Sequence, residues 1–251
     1  MSVQQLYRKP VVLSSIIHRA LKVAPVKKYD FADGFNSCIL LGQEFPEAAK
    51  CYPIVFLKTN DTFSLVAILG IHNNLFVDDE GNWERGFYVP AFIRRYPYIL
   101  SEGLSQDGSL TVFIDSEYEG FDAEDGERLF DDKGEKTPAL NRAMSFLKIF
   151  HDQFETTKTF MSRIAELDIF KPMDANIAIA GGQRFTIKDL FRVDEQSLDK
   201  LTDDQIVGLV RSGHMAWIYA HLHSLSNFKR IAARASTGEE QSDVVLSEEK
   251  A

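Results

Sequence analysis

The sequence predicts an α+β fold, a mostly antiparallel sheet packed with several helices and a helix-rich C-terminal half. In the first half, short segments rich in Val, Ile, Leu and Phe alternate with turn residues, which is the pattern of antiparallel strands. From residue 137 onward, apolar residues recur near a period of 3.6, which is the spacing of amphipathic helices. This change of period separates a sheet-rich half from a helix-rich half.

Composition and charge limit the function classes. The 251-residue chain is 45% hydrophobic and 26% charged, as is ordinary for a soluble globular protein. Its formal net charge of -9 argues against nucleic-acid binding, which needs a concentrated basic face. Runs without Asp, Glu, Lys or Arg, such as 62–77, are too short to span a bilayer, and no secretory signal is apparent. We therefore expect a cytoplasmic protein that is not membrane-embedded.

Local charge suggests how the chain is divided. Residues 1–30 form a basic lead-in with six Lys or Arg against Asp30, whereas residues 115–135 contain ten acidic residues. The ends of the chain differ from its middle, since the segment from residue 236 is polar and net acidic. We predict a single α+β domain over 31–235 and a disordered acidic tail over 236–251.

The first half is predicted to be a meander of strands. We expect strands at 37–41, 53–57, 63–71 and 74–77, with a Thr-Asn-Asp-Thr turn joining the second and third into a hairpin. A short helix is expected at 45–50, because Pro46 suits a first helical turn. The sheet is predicted to continue at 110–115.

The segment 83–100 is expected to lie in the middle of the fold. It is rich in aromatic residues and also contains three arginines and two prolines. Pro90 is tolerated in a first helical turn and Pro97 ends a helix, so we predict a short helix over 88–96 and a strand over 98–100. Its rings should be buried, and Arg94 and Arg95 should reach outward or to a partner.

The second half carries clear helix boundaries. Pro138 suits the start of a long apolar-periodic helix, and a second helical stretch should end before Pro172. A hairpin is expected at 177–180 and 184–187, joined by Gly181-Gly182-Gln183. Thr202 begins a capping box, and Gly213 can end that helix in a left-handed cap. A final helix is expected through 228–232.

Residues 214–227 permit two interpretations, and we predict a strand. As a helix, one face would hold His214, Ile218, His221 and Leu225. As a strand, one face would hold Met215, Trp217, Tyr219, His221 and His223.

The motifs of common catalytic and cofactor sites are not found in the sequence. His221 and His223 are two possible metal ligands, but no third ligand is signalled nearby. The acidic stretch starts like a calcium loop but has Gly126 at the twelfth position, where a carboxylate is required. Cys38 and Cys51 lack the Cys-x-x-Cys spacing, and neither a Gly-x-Ser-x-Gly elbow nor a phosphate-binding glycine loop occurs. We predict no metal and no cofactor.

Several blocks resemble the bacterial SapC family over about residues 30 to 235. The blocks are Phe45-Pro46, Tyr52-Pro53-Ile54-Val55-Phe56, Asn74-Leu75-Phe76, the segment from Tyr88 to Pro97, and Gly213-His214 through Asn227. The resemblance implies a soluble accessory protein of an envelope, surface-layer or outer-membrane uptake system, with protein partners there. It brings no catalytic residues. A peptide-transporter permease and a saposin share the name, but the chain lacks the membrane helices of one and the cysteine framework of the other.

Two functional hypotheses follow. An interaction protein would present an aromatic and arginine surface, drawn from Trp83, Arg85, Tyr88, Arg94, Arg95 and Tyr96. An enzyme or small-molecule binder would instead gather Arg94, Arg95, Tyr219, His221 and His223 around a pocket. A purely structural alternative is that the arginines pair with the acidic stretch.

Overall fold

The structure is a computed structural model that describes residues 6–101, 111–179, 182–236 and 244–247. Helices and antiparallel strands are both abundant, which confirms the predicted α+β class. Its strands are β1 Pro10–Val12, β2 Lys22–Val23, β3 Ser37–Ile39, β4 Ile54–Thr59, β5 Thr62–Ile68, β6 Tyr98–Ser101, β7 Thr111–Asp115, β8 Glu127–Arg128, β9 Phe170–Ala178, β10 Arg184–Val193 and β11 Val244–Ser247. Its helices are α1 Phe45–Ala48, α2 Ala91–Arg94, α3 Pro138–Glu166, α4 Glu195–Leu198, α5 Asp203–Arg211, α6 His214–Ser224 and α7 Phe228–Ala235.

The strands form three separate sheets. The largest has the order β11-β9-β10-β4-β5-β3, a second has the order β1-β7-β6, and β2 pairs with β8. The prediction that 110–115 continues the main sheet is wrong, because β7 pairs with β1 and β6 instead. The predicted strand at 74–77 is also not formed. Val77 makes only an isolated bridge to Trp83, and the buried Asn74 side chain bonds to the backbone of Ala32 and Phe76.

The two predicted hairpins are present. β4 and β5 are joined at Asn60 and Asp61, which both adopt positive φ values, as a tight turn requires. β9 pairs with β10 but begins at residue 170, earlier than predicted. Pro172 lies opposite Phe191 of β10, outside the 174–177 part of β9 with which the described residues of β11 pair. Residue 180 of the predicted strand and residue 181 of the predicted turn lie outside the described ranges.

The helix boundaries follow the sequence signals closely. Pro138 lies in the first turn of α3, which continues without a break through both predicted helical stretches. Thr202 and Gln205 form the capping box of α5, and Gly213 follows this helix with a φ of 78°. α2 is confined to four residues after Pro90, and β6 begins after Pro97 as expected.

The prediction of a strand over 214–227 is wrong, since residues 214–224 form α6. This helix carries apolar or aromatic side chains on nearly all sides, so the sequence shows no clear period. Ile218, His221 and Ser224 are its buried residues, and they lie three residues apart on one helical face.

The N-terminal residues join the core and the acidic stretch. Leu6 and Tyr7 are buried in the main hydrophobic cluster. Lys27 pairs with Asp125 at 2.7 Å, and the buried Asp115 accepts hydrogen bonds from the backbone N–H groups of Arg8 and Lys9. The two segments of opposite charge therefore contact each other.

The predicted acidic tail contains one described strand. In the predicted tail, β11 pairs with β9, and the rest of 237–251 lies outside the described ranges. The division into domains stays a prediction.

Across the described part of the chain, no helix combines the length and the apolar character needed to cross a membrane.

Replacing Ser224 by Ala should destabilise the fold. The Ser224 hydroxyl, fully buried, accepts the backbone N–H of Ile54 at 2.9 Å and donates to the carbonyl of His221 at 2.6 Å, so it fastens α6 to β4. Ser224→Ala leaves the Ile54 N–H buried without a partner, which costs about 1–3 kcal/mol of unfolding free energy. Urea denaturation measures this loss.

Ser226→Ala is the matched control. The exposed Ser226 hydroxyl bonds only to the carbonyl of His223 in its own helical turn. We expect a change below about 0.5 kcal/mol for this surface substitution. Equal losses in the two variants would contradict the role of Ser224 as a link between α6 and β4.

Candidate functional site

A buried carboxylate positions the aromatic segment. Glu44 is only 5% exposed and accepts hydrogen bonds from the N–H of Leu41 at 2.8 Å, the N–H of Ala91 at 2.6 Å and the hydroxyl of Tyr88 at 2.8 Å. The Ala91 N–H is an unpaired donor at the start of α2, so Glu44 satisfies the end of this helix from another part of the chain. Burial raises the pKa of the Glu44 carboxyl, although these three hydrogen bonds oppose that shift.

Arg94 is held on the outer side of this network. Its Nη2 donates to the Tyr88 hydroxyl at 2.9 Å, and its Nε donates to the Val89 carbonyl at 2.9 Å. The guanidinium lies 5.5 Å from the ring centroid of Tyr88 and 5.4 Å from that of Phe146 on α3. Arg94 is exposed, so its remaining donors face solvent in a fixed orientation.

Arg95 points into an aromatic cage. Its guanidinium carbon lies 4.3 Å from the ring centroid of Phe92, 4.9 Å from that of Phe150 and 5.7 Å from that of Tyr7. Its Nε is buried without a hydrogen-bond partner, a situation that costs about 1–3 kcal/mol. Burial lowers the pKa of Arg95, while Tyr7 opposes this shift, and burial raises the pKa of Tyr7 to about 12.

Neither arginine pairs with an acidic residue. Among the described residues, no carboxylate lies within ion-pair distance of Arg94 or Arg95. The purely structural alternative, in which these arginines pair with the acidic stretch, is therefore not what the described chain shows.

The two arginines line an open groove of about 440 Å³, here called the arginine groove. The first turns of α3 form one wall, and the end of α2 with the chain that follows it forms another. Its charged residues are Arg94, Arg95, Arg142 and Glu127, which leaves a formal charge of +2. The other lining residues are Val23, Ala24, Pro25, Val26, Tyr29, Tyr96, Pro97, Tyr98, Ala139, Ala143, Phe146 and Leu147.

Further predicted site residues lie in or behind this groove. Tyr96 lines it but is largely buried, with its ring stacked on Phe31 at 4.0 Å and its hydroxyl donating to Asp115 at 3.3 Å. Trp83 is also buried, and its ring contacts that of the groove residue Tyr29 at 5.6 Å. Tyr88 holds Arg94, as described above. The structure therefore brings four of the predicted residues together, Tyr88, Arg94, Arg95 and Tyr96, whereas Trp83 lines a different depression.

The remaining predicted residues lie elsewhere. Arg85 is exposed beside Trp83 in a different depression of about 700 Å³. Tyr219 and His223 are exposed on α6, and neither lines the arginine groove. The strand face on which Tyr219, His221 and His223 would have pointed together does not exist, because the segment is helical.

His221 is a core residue with both ring nitrogens in use. Its Nδ1 donates to the carbonyl of Ile54 at 2.7 Å, and its Nε2 accepts the N–H of Val193 at 3.1 Å, so the ring is neutral and connects β4 with β10. It has no exposed surface, and burial lowers its pKa to about 4, with Arg192 adding to the shift. His221 is therefore withheld from solvent and from the arginine groove.

Sequence reasoning missed two buried carboxylates. Glu44 fixes the start of α2, and Asp115 accepts hydrogen bonds from the N–H groups of Arg8 and Lys9 and from the Tyr96 hydroxyl. These partners lie far from the two acids along the chain, so no local sequence motif marks either carboxylate. Within the described part of the chain, no group of three or more His, Cys, Asp or Glu side chains is placed to hold a metal ion.

Comparison with known proteins gives one match. A family model described as SapC matches residues 13–231, a span that includes α2, the lining of the arginine groove and α6. Searches of curated proteins and of solved structures return no match to this chain.

The depressed pKa of His221 predicts a pH dependence of stability. The neutral ring is favoured in the folded state, whereas an unfolded histidine binds a proton below about pH 6.5. The contribution of the neutral His221 ring to the free energy of unfolding is therefore complete above about pH 6.5. It is lost as the pH falls to about 4, a change of about 3 kcal/mol. Urea denaturation at pH 7 and at pH 4.5 measures it.

His221→Asn supplies the comparison, since asparagine does not titrate. We expect a smaller difference in unfolding free energy between the two pH values for this variant than for the wild type. His223→Asn, at an exposed position of the same helix, should retain the wild-type difference. An unchanged pH difference in His221→Asn would contradict the assignment.

Proposed function

Because the chain belongs to the SapC family, we propose that it is a cytoplasmic accessory protein of a bacterial cell-envelope, surface-layer or outer-membrane uptake system. It acts by binding a protein partner of that system through the arginine groove. The groove binds neither nucleic acid nor a membrane in this proposal.

One observation carries the proposal. Two adjacent arginines, Arg94 and Arg95, are held among aromatic rings at an open groove, without a carboxylate partner among the described residues. Arginine and aromatic side chains are the residue types that most often dominate binding energy at protein interfaces. Holding them in place before binding also lowers the entropic cost of association.

The charge of the groove supports a specific encounter. The chain as a whole has a formal charge of -9, whereas the three arginines and one glutamate of the groove sum to +2. A local reversal of sign directs an acidic surface toward this region and away from the rest of the protein. A partner with an acidic docking surface is therefore favoured over other proteins.

The alternative, an enzyme or small-molecule binder, receives less support. It needs Arg94, Arg95, Tyr219 and His221 to converge, with His221 as an acid–base group. His221 is instead fully buried with both ring nitrogens bonded, and Tyr219 is 47% exposed on α6. Small-molecule sites also enclose most of the ligand surface, whereas the arginine groove is open.

Removing the two arginine side chains should abolish partner binding. We expect wild-type protein, used as bait in native cells, to retain a defined envelope or uptake component that mass spectrometry identifies. The double variant Arg94→Ala, Arg95→Ala should lose at least about 90% of that component, because truncated arginine anchors cost about 2 kcal/mol or more each.

Arg211→Ala is the matched control, since Arg211 is an exposed arginine on α5 outside the groove. It should retain the same component at the wild-type level. Equal recovery by the double variant would reject the groove as the docking site. A captured component without any connection to the envelope or to uptake would reject the proposed system.

A further inference from the structure

A second depression adjoins the arginine groove and shares Ala24, Pro25 and Tyr96 with it. We call it the Tyr118 pocket, after the tyrosine that lines it together with Tyr96 and Phe31. Its volume of about 280 Å³ lies just below the range of sites for drug-sized ligands. The pocket is therefore suited to a small metabolite. None of the arginines and histidines of the small-molecule alternative above lines it.

The apolar part of the Tyr118 pocket is a cluster of three rings. The Phe31 ring stacks on that of Tyr96 with centroids 4.0 Å apart, and the Tyr118 ring meets Tyr96 edge-on at 5.5 Å. The Tyr118 hydroxyl donates to the carbonyl of Ala24 at 2.8 Å, and the Tyr96 hydroxyl donates to Asp115 at 3.3 Å. Because both protons are in use, these hydroxyls can only accept further hydrogen bonds, which favours a ligand with N–H donors.

Three charged side chains of the pocket are already engaged elsewhere. Lys27 pairs with Asp125 at 2.7 Å. The ammonium group of Lys28 donates to the carbonyl of Glu80 and, at 2.8 Å, to Oδ1 of Asn82. The remaining charged groups of the pocket therefore decide which ligand it binds.

Four charged side chains of the pocket have no ion-pair partner in the part of the chain that the structure describes. They are Arg8, Asp30, Glu117 and Glu119. The N–H groups of Arg8 and Glu117 both donate to the Asp115 carboxylate, at 2.9 and 3.3 Å, which places these two residues next to each other. Burial raises the pKa of Tyr96 and the positive charge of Arg8 opposes this shift, so the guanidinium lies near that ring. One positive and three negative groups thus remain for a ligand.

We propose that the Tyr118 pocket binds a free basic amino acid such as lysine or arginine. The α-carboxylate of the ligand pairs with Arg8, its two cationic groups pair with carboxylates among Asp30, Glu117 and Glu119, and its methylene chain lies against the rings. A ligand with two positive groups and one negative group complements the unpaired charges better than a neutral amino acid or a simple anion. This inference goes beyond the proposed function, which places a protein partner in the arginine groove.

Isothermal titration calorimetry on the full-length protein tests the inference with L-lysine. At neutral pH and constant ionic strength, we expect saturable binding with a dissociation constant of about 1 mM or below. L-norleucine lacks the side-chain ammonium and cadaverine lacks the carboxylate, so each should bind at least about fivefold more weakly. No saturable binding of L-lysine or L-arginine up to about 20 mM would overturn the inference. Equal binding of norleucine or of cadaverine would reject a basic amino acid as the ligand.

Paired variants test whether the binding occurs in the Tyr118 pocket. Glu117→Gln combined with Glu119→Gln should weaken L-lysine binding at least about fivefold. Glu124→Gln, at an exposed acid of the same stretch outside the pocket, should leave it unchanged. Arg8→Gln should weaken it at least about threefold, whereas Lys9→Gln, at the exposed neighbour outside the pocket, should not. Unchanged binding in the pocket variants, or equal losses in the controls, would reject this site.

Two further readouts separate ligand contact from folding. Arg8→Gln should lose the preference for L-lysine over cadaverine, which a general loss of folded protein would not change. All five substituted side chains are exposed, so the thermal midpoints without ligand should stay within about 2 °C of the wild-type value. A retained preference for L-lysine in Arg8→Gln would reject the pairing of its carboxylate with Arg8. Partner capture through Arg94 and Arg95 does not depend on any of these results.

Discussion

The arrangement of the site depends on the buried Glu44 carboxylate. It accepts hydrogen bonds from Leu41 in its own turn, from Ala91 at the start of α2 and from Tyr88 just before that helix. These bonds fix a helix of only four residues, which is too short to be stable by its own backbone bonds. Glu44 thereby helps to set the position of the short helix that carries Arg94.

Two consecutive arginines consequently lie in different environments. Side chains at neighbouring helical positions point about 100° apart, so Arg94 faces solvent over Tyr88 and Phe146, whereas Arg95 enters the cage of Tyr7, Phe92 and Phe150. Water screens the charge of the exposed Arg94 more than that of the desolvated Arg95, so electrostatic interactions of Arg95 are stronger at short range.

Long-range pairing also explains the charged segments of the chain. The basic N-terminal residues lie against the acidic stretch through β2 and β8, the Lys27–Asp125 pair and the Asp115 hydrogen bonds. This internal arrangement places Val23 to Val26 and Tyr29 along the arginine groove. Acidic residues of the stretch 115–135 thus interact with the N-terminal segment. Among the described residues, none of them forms an ion pair with Arg94 or Arg95.

The sequence by itself determined the fold class, the capping box at Thr202, the ends of α3 and α5, and the position of the aromatic segment near the core. These features depend on neighbours within a few residues, and local backbone preferences decide them. Tertiary structure alone decided that residues 214–224 are helical, because their side chains are apolar on almost every side and fit either period. It alone also revealed Glu44 and the cage of Arg95, since their partners are distant in sequence and only the packed fold brings them into contact.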